Sequence, residues 1–393
     1  MRPVSFYEEL LDSNQPLKVL EDLASYKGKD AKIYFVLAEA RRMLGHFEKA
    51  IELYSKAASY NKLPAGAAPE EAEEFLLFKL DLSLAMAKCY RTLGIAQTAY
   101  DVASEAFDMA EKQQFLDYAM TALQEMGMAL RALGKLEEAS SLLNEVLSYY
   151  ESEKDLPGQA FIYWALGGIC RLQGRFKEGV NYFKLSIKLA RRAKDEISEA
   201  YGYCGLAGIS RIAGDIKGCV DNYVKAEKIF KNTDDIFGKA YTNCGMANGL
   251  RQLGKYDEAL KRYKRADALY TAINDTVDLG FVKWGKADAL KRKNKLAEAL
   301  SELKEAKELF ASSDEIRGQL LTEFSLAQLI YALGDAKSSR IVLVPSFNRS
   351  FTSYTKVLCI FFTLSSFSPF RKISQMVSKP SKTNSIKLCF SAT

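Results

Sequence analysis

Residues 246–266, MANGLRQLGKYDEALKRYKRA, carry two apolar faces separated by a single glycine, Gly254. Before this glycine, Met246 and Leu250 stand one helical turn apart, and after it apolar residues again recur at spacings of three and four. Such spacing places each set on one face of an α-helix. Glycine tolerates the left-handed backbone of a tight turn between helices. The stretch therefore predicts two antiparallel helices joined by a short turn.

This pattern recurs along most of the chain. From Gly94 onward a turn residue stands at every fortieth position, and the first step, from Gly45 to Gly94, is nine positions longer. A constant period of this length is the signature of a repeat architecture. The eight predicted turn residues are Gly45, Gly94, Gly134, Gly174, Gly214, Gly254, Asn294 and Gly334.

Each repeat unit is predicted to contain a helix A, the turn and a helix B. Small residues before and after the turn allow the two helices to approach closely, and larger apolar residues fill the space around them. One such hairpin cannot bury its apolar face alone, so neighbouring hairpins must stack. We therefore expect an all-α solenoid of about eight antiparallel helix-turn-helix units.

The spacing of the small and aromatic residues resembles that of the tetratricopeptide repeat (TPR). In the numbering of that repeat, position 8 is small, position 15 is the turn glycine and position 20 is Ala. Position 8 here is Ala38, Ala87, Gly127, Gly167, Ala207, Ala247, Ala287 and Ala327. Position 20 is Ala50, Ala99, Ala139, Gly179, Cys219, Ala259, Ala299 and Ser339.

This resemblance implies a right-handed superhelix in which the A helices line a concave groove. The forty-residue period is longer than the common TPR unit, and in this respect the chain is similar to kinesin light chains and Pins/LGN-type scaffolds. The nine extra residues of the first step are expected to form a loop over residues 61–69.

Three segments follow from this pattern. Residues 1–30 are expected to form capping helices, residues 31–340 the array, and residues 341–393 a segment outside the repeat. The last segment has eleven Ser, seven Lys or Arg and no acidic residue, which leaves 48 basic and 49 acidic residues in positions 1–340. It is interpreted as a disordered or artefactual tail, and whether it is native or arises from a frameshift or read-through stays open.

The charge and the cysteine content of the sequence indicate which partners and which cellular compartment to expect. A nearly neutral array gives no indication of nucleic-acid binding. The longest apolar stretch, residues 357–364, is too short to span a bilayer. The seven cysteines show no CxxC pair, and five of them lie in helical segments as small apolar residues. Free buried cysteines favour a reducing compartment, so the prediction is cytoplasmic.

Catalytic patterns are weak in this sequence. The one histidine, His46, follows a turn glycine and is expected to be exposed there. Residues 249–255, GLRQLGK, approach a phosphate-binding loop, but Tyr256 stands where Ser or Thr would bind magnesium. The segment also occurs at the same phase as the turn of every other repeat. The sequence therefore predicts no enzyme, no catalytic or metal-binding residue and no cofactor.

A row of cations stands three residues before the turns, at position 12 of the repeat. This row, called the cation ladder, comprises Arg42, Arg91, Arg131, Arg171, Arg211, Arg251 and Lys291. By the TPR resemblance it faces the groove, where guanidinium groups bind carboxylates through paired hydrogen bonds. The alternative is structural, because a cation in the last turn of a helix favours the helix dipole and can pair with an acid of the next repeat.

Three more residues are candidates for the groove. Trp164 and Trp284 occupy position 5 of their repeats and serve either as binding hot spots or as packing between repeats. Asn248 occupies position 9 of the sixth repeat. The sequence thus predicts a protein-interaction scaffold that binds a partner peptide or helix, with acidic character, in its groove. The alternative is a regulatory sensor whose superhelical pitch changes when a peptide binds.

Overall fold

The computed structural model describes residues 2–13, 15–311 and 315–334, and over these ranges it contains seventeen α-helices and no strand. Two short helices, α1 (Val4–Asp12) and α2 (Pro16–Asp22), precede the first hairpin. The predicted segment from residue 335 onward, including the end of the eighth unit and the tail at 341–393, lies outside the described residues.

The following helices alternate as A and B members of successive hairpins. The A helices are α3 (Ala31–Met43), α5 (Pro69–Thr92), α7 (Leu116–Ala132), α9 (Leu156–Leu172), α11 (Glu196–Ile212), α13 (Ile236–Gln252), α15 (Thr276–Arg292) and α17 (Ile316–Ala332). The B helices are α4 (Phe47–Tyr60), α6 (Ala96–Gln113), α8 (Leu136–Ser152), α10 (Phe176–Ala193), α12 (Ile216–Phe230), α14 (Tyr256–Ala272) and α16 (Leu296–Ala311). Each helix packs on the one before and the one after it, so the predicted all-α repeat solenoid is confirmed.

The A-to-B turns end each A helix with a left-handed residue. In the sixth repeat Gly254 has φ +76°, and the Lys255 backbone N–H donates to the Leu250 carbonyl at 3.0 Å. This bond satisfies one of the carbonyls that a helix C-terminus leaves unpaired. Asn294 takes the same conformation, with φ 60°.

Aspartate caps start several A helices, and four of these caps recur at the forty-residue period, a signal that the sequence interpretation did not use. Asp155, Asp195, Asp235 and Asp275 each accept a hydrogen bond from the backbone N–H three residues later, at 2.7–3.0 Å. The carboxylate thereby satisfies a free N–H and complements the positive end of the helix dipole.

Small residues of the A helices fit against large side chains of the B helices. A Cβ built on Gly167 would lie 3.0 Å from the Phe183 ring of the same hairpin, and one on Gly205 of the next hairpin would lie 2.2 Å from that ring. Phe183 is 1% exposed. One ring therefore fills the space between two successive A helices, which are held close together by glycines.

The nine extra residues of the first step lie where the sequence predicts a loop. Residues 61–68 form this loop between α4 and α5, and α5 begins at Pro69, one residue earlier than expected. Proline is well tolerated at the first position of a helix. Helix α5 is also 24 residues long, against 17 for α7, so the longer step combines the predicted loop with an A helix that is extended at its N-terminus.

Two repeats that are distant in the sequence are in contact in the solenoid. Ile273, in the turn between α14 and α15, lies against Gly45, the first A-to-B turn, where an added Cβ would meet the Ile273 Cβ at 2.3 Å. Beside it the Asn274 side-chain amide donates to Glu48 Oε2 at 3.3 Å. Ile273 is only 2% exposed. The first hairpin thus packs against the turn that follows the sixth.

Candidate functional site

The A helices line a concavity at the N-terminal part of the array. A cavity of about 500 Å³ is lined by residues of α1, α3, α5 and α7. Its charged lining is mixed: the acids are Glu8, Asp12, Glu39, Asp81 and Asp117, and the bases are Arg42 and Lys88. Burial raises the pKa of Asp81, although the Tyr118 hydroxyl, which donates to it at 2.9 Å, and Lys88 act to lower it. We call this region the N-terminal groove.

The cation ladder lies in the last turn of each A helix from α3 to α15, and every member is half-buried. Its members differ in their partners. Arg42 pairs with Glu39 one turn earlier, with Nε to Oε1 at 3.1 Å. Arg91 pairs with Glu125 of the next A helix at 3.0 Å, and the Glu125 side chain is only 2% exposed. Both cations are therefore neutralised within the protein.

Arg251 and Lys291 are also engaged. Arg251 Nη1 forms an ion pair with Asp288 of the next A helix, and Arg251 Nε donates to the Tyr263 hydroxyl at 3.2 Å. Lys291 lies 3.2 Å from Asp288 Oδ1 and donates to Gln328 Oε1 at 3.4 Å. For Asp288, burial acts to raise the pKa, but Arg251 and Lys291 bring it below its ordinary value.

Arg131, Arg171 and Arg211 have no carboxylate within ion-pair distance among residues 2–13, 15–311 and 315–334. Arg131 instead lies over the Trp164 ring, with its guanidinium carbon 5.1 Å from the ring centroid. Tyr241 of α13, two A helices further along, is near enough to Arg171 to raise its pKa. Three neighbouring members of the ladder thus retain an uncompensated positive charge.

The pKa values of Arg131 and Arg171 reflect their lack of an acidic partner. Burial lowers the pKa of Arg131 to about 10, and repulsion from Arg91 and Arg171 adds to the effect. Arg171 differs because Tyr241 outweighs the effect of burial and raises its pKa. Both groups stay protonated near pH 7, so the centre of the ladder is a cluster of like charges.

The remaining candidates take part in the same contacts. Trp284 lies under Arg251 at 5.4 Å, as Trp164 lies under Arg131, and its indole N–H donates to Ser325 at 2.9 Å. Asn248 accepts a hydrogen bond from the Tyr263 hydroxyl at 2.7 Å. Both tryptophans are therefore placed between successive repeats, and the Asn248 oxygen is held by an internal partner.

His46 departs from the prediction of an exposed turn residue. It is half-buried at the start of α4, and its Nδ1 lies 3.3 Å from Arg41 Nη1. Burial lowers the pKa of His46, and the charge of Arg41 adds to this effect. Within the described ranges there is no group of three His, Cys, Asp or Glu side chains arranged to hold a metal ion.

The sequence interpretation allowed for acids of the next repeat as partners of the ladder, but it did not identify the individual partner residues. Asp288 and Gln328 stand 37 residues after their cations, at position 9 of the following repeat, whereas Glu125 stands 34 residues after Arg91. A comparison of position 9 across repeats would have found the first two. It would not have found Glu125, which lies one helical turn earlier.

The architecture is that of a helical-repeat solenoid with a concave face built from A helices. Models of the tetratricopeptide repeat match residues 31–62 and 117–192. These two segments therefore contain tetratricopeptide repeats, as the sequence predicts. A sequence search among curated proteins gives no match.

Solved structures share this fold at low sequence identity. The Rap conjugation gene regulator of the plasmid pLS20 in complex with the Phr* peptide has a TM-score of 0.59 at 12% identity, over 88% of this chain and 93% of that one. The apo quorum sensor NprR from B. thuringiensis has a TM-score of 0.57 at 14% identity, over 88% and 97%. A Rap protein complexed with Competence and Sporulation Factor has 0.54 at 13%, over 84% and 98%. At this identity the likeness concerns the fold alone.

No helix in the described part of the chain is both long and apolar enough to cross a membrane. The five cysteines located there are free, and four of them are buried.

Proposed function

We propose that this protein is an interaction scaffold whose A-helix face binds a peptide segment of a partner protein, and that it is not an enzyme. The observation that carries the proposal is the concave A-helix surface, with its cavity of about 500 Å³ and the half-buried cations that follow it along the array. Concave solenoid faces are the usual binding surfaces of repeat proteins. Two proteins of similar fold are described as complexes, one with the Phr* peptide and one with Competence and Sporulation Factor, which supports the same use here.

A cavity-filling variant tests this proposal. Thr121 of α7 lines the N-terminal groove, and Ser141 of α8 is exposed on the B helix of the same hairpin. Thr121→Trp is expected to weaken binding to an array of random decapeptides at least tenfold, and Ser141→Trp is expected to leave it within about twofold. If no decapeptide binds the wild-type protein, or if both variants bind equally, the groove is not the binding surface.

A second candidate function is peptide sensing through a change of superhelical pitch. The contact of Asn274 with Glu48 favours it, because this contact bridges distant repeats and would separate if the pitch opened. Fluorophores at Lys49 and Lys231, exposed residues of α4 and the end of α12, would report the change by energy transfer. Unchanged transfer at saturating peptide argues for a rigid scaffold.

We also propose a reducing compartment such as the cytoplasm, which the free cysteines support. Nucleic acid is not proposed as a partner.

A further inference from the structure

Four members of the ladder share one kind of neighbour. In these four, the cation at position 12 of one repeat lies against position 9 of the next, as Arg251 meets Asp288 and Lys291 meets Gln328. At the same phase Arg131 meets Gly168, where an added Cβ would lie 2.8 Å from Nη1, and Arg171 meets Gly208, at 2.6 Å.

Arg131 and Arg251 are matched in a second respect. Each lies over the tryptophan at position 5 of the following repeat, at 5.1 Å and 5.4 Å from the ring centroid. The two arrangements therefore share the cation and the aromatic ring, and they differ in the residue at position 9. Where Asp288 supplies a carboxylate, Gly168 supplies none.

The missing carboxylate leaves two successive cations together. In the described part of the chain neither Arg131 nor Arg171 has an acid within ion-pair distance, and each is half-buried. Partly desolvated charges of like sign disfavour the folded state unless an anion compensates them. Tyr241 adds a phenol hydroxyl beside Arg171, so the place offers two guanidinium groups and a neutral hydrogen-bonding group.

We infer that Arg131 and Arg171 form a carboxylate-binding subsite of the groove, in which a carboxylate of the bound peptide takes the role that Asp288 plays for Arg251. This inference rests on the proposed function and specifies its ligand. Glycine at positions 168 and 208 serves the subsite in two ways: it lets the guanidinium lie against the backbone of the next helix, and it supplies no internal acid. The carboxylate comes from an acidic side chain or from the C-terminus of the peptide.

The test uses the decapeptide that binds wild-type protein most tightly, in four forms. One form keeps its acidic side chains and free C-terminus, the second has Gln and Asn for Glu and Asp, the third has a C-terminal amide, and the fourth has both changes. The fourth form is expected to bind at least tenfold more weakly than the first. The second and third show which carboxylate is bound.

Three protein variants complete the test. Arg131→Gln with Arg171→Gln, and separately Gly168→Asp, are expected to weaken binding of the first form at least tenfold and to remove the difference between the four forms. Gly168→Asp copies the internal acid of the Asp288 repeat and keeps the ladder intact, so it remains informative if the double variant does not fold. The control is Lys184→Gln with Lys188→Gln, two exposed cations of α10, which should change binding less than twofold.

The outcomes separate the two proposals. If a peptide binds and Thr121→Trp weakens it, but the four forms and the arginine variants bind alike, the carboxylate subsite is wrong and the groove function stands. If no peptide binds at all, both are wrong.

Discussion

Arg251 and Asp288 form an ion pair between successive A helices in which both side chains are largely buried, at 12% and 16% exposure. Asp288 also meets Lys291, so one carboxylate joins two members of the cation ladder. A buried carboxylate between two cations couples the sixth and seventh repeats, and Lys291 extends the coupling to Gln328 of the eighth. Replacement of Asp288 should therefore be felt along the C-terminal part of the array.

Asp288→Asn is expected to destabilise the protein by about 2–4 kcal/mol, because it leaves Arg251 buried without its acid. The matched control is Asp257→Asn, whose ion pair with Lys293 involves a carboxylate that is 78% exposed. That change should destabilise the protein much less than Asp288→Asn does, since exposed pairs contribute little to stability. Urea denaturation of both variants measures the difference. Equal losses would mean that the Arg251–Asp288 pair contributes no more than a surface contact.

Gly168→Asp is expected to stabilise the free protein, whereas Asp288→Asn destabilises it. It supplies Arg131 with the acid that this repeat lacks, and the gain in unfolding free energy should be about 1 kcal/mol at low salt. Adding sodium chloride to about 0.5 M should reduce the gain, because the carboxylate acts through charge. Gly168→Asn, which brings a similar volume without charge, is the control, and an equal gain from Asn would exclude the electrostatic explanation.

Substitution of two turn glycines, Gly174 and Gly45, distinguishes the cost of backbone strain from the cost of a lost contact between repeats. Gly174 has φ +77° and nothing within 4 Å of an added Cβ, whereas Gly45 has φ +78° and faces Ile273. Both Ala variants should lose about 1–2 kcal/mol from the left-handed backbone. Gly45→Ala should lose at least ~1 kcal/mol more, because the methyl group overlaps Ile273. Chemical denaturation compares them, and equal losses would mean that the distant contact contributes nothing to stability.

The buried carboxyl of Asp275 is expected to make the stability of the fold depend on pH. It is 3% exposed, and burial raises its pKa to about 6, although backbone N–H groups of Val277 and Asp278 act to lower it. Its neighbour Asp278 also has a raised pKa, from burial, Asp275 and Glu315, with Arg317 acting in the opposite direction. A raised carboxyl pKa means that the native state binds more protons than the unfolded state. Ionisation of Asp275 therefore destabilises the fold, with no effect below pH about 4 and the full effect above pH about 6.

Asp275→Asn should remove this penalty and keep the helix cap, because Asn caps helices as well as Asp. We expect it to raise the unfolding free energy by about 1–2 kcal/mol at pH 7.5, and to change it little at pH 4. Denaturation curves at the two pH values test this. The control is Asp155→Asn, the equivalent cap of α9, and a gain at pH 4 equal to that at pH 7.5 would contradict the protonation argument.

The sequence predicts the fold well because its period is local. Gly254 and the apolar residues around it are close to one another along the chain, so their spacing alone indicates a hairpin, and the same holds in each repeat. The position of the cation ladder in the last turn of helix A follows for the same reason. The loop before Pro69 was predicted as well, but the extension of α5 at its N-terminus was not, since a break in the period does not show how extra residues divide between loop and helix.

The partners of the ladder depend on geometry between repeats. Whether Arg131 meets Gly168 or a neighbouring residue is set by the stacking of two A helices, which the period does not specify. The contact of Tyr241 with Arg171 depends on the curvature of several units, and so does the contact of Ile273 with Gly45. These features accumulate over many residues and are absent from any single repeat.

The Ile273–Gly45 contact places a constraint on how this gene product can change over time. Tandem repeats often vary by duplication or loss of whole units, and an open stack accepts such changes anywhere. Here one unit more or fewer between Gly45 and Ile273 would carry the two residues apart by the full advance of a hairpin. This contact therefore constrains the number of repeats between Gly45 and Ile273. It places no such constraint on the number of repeats outside this interval.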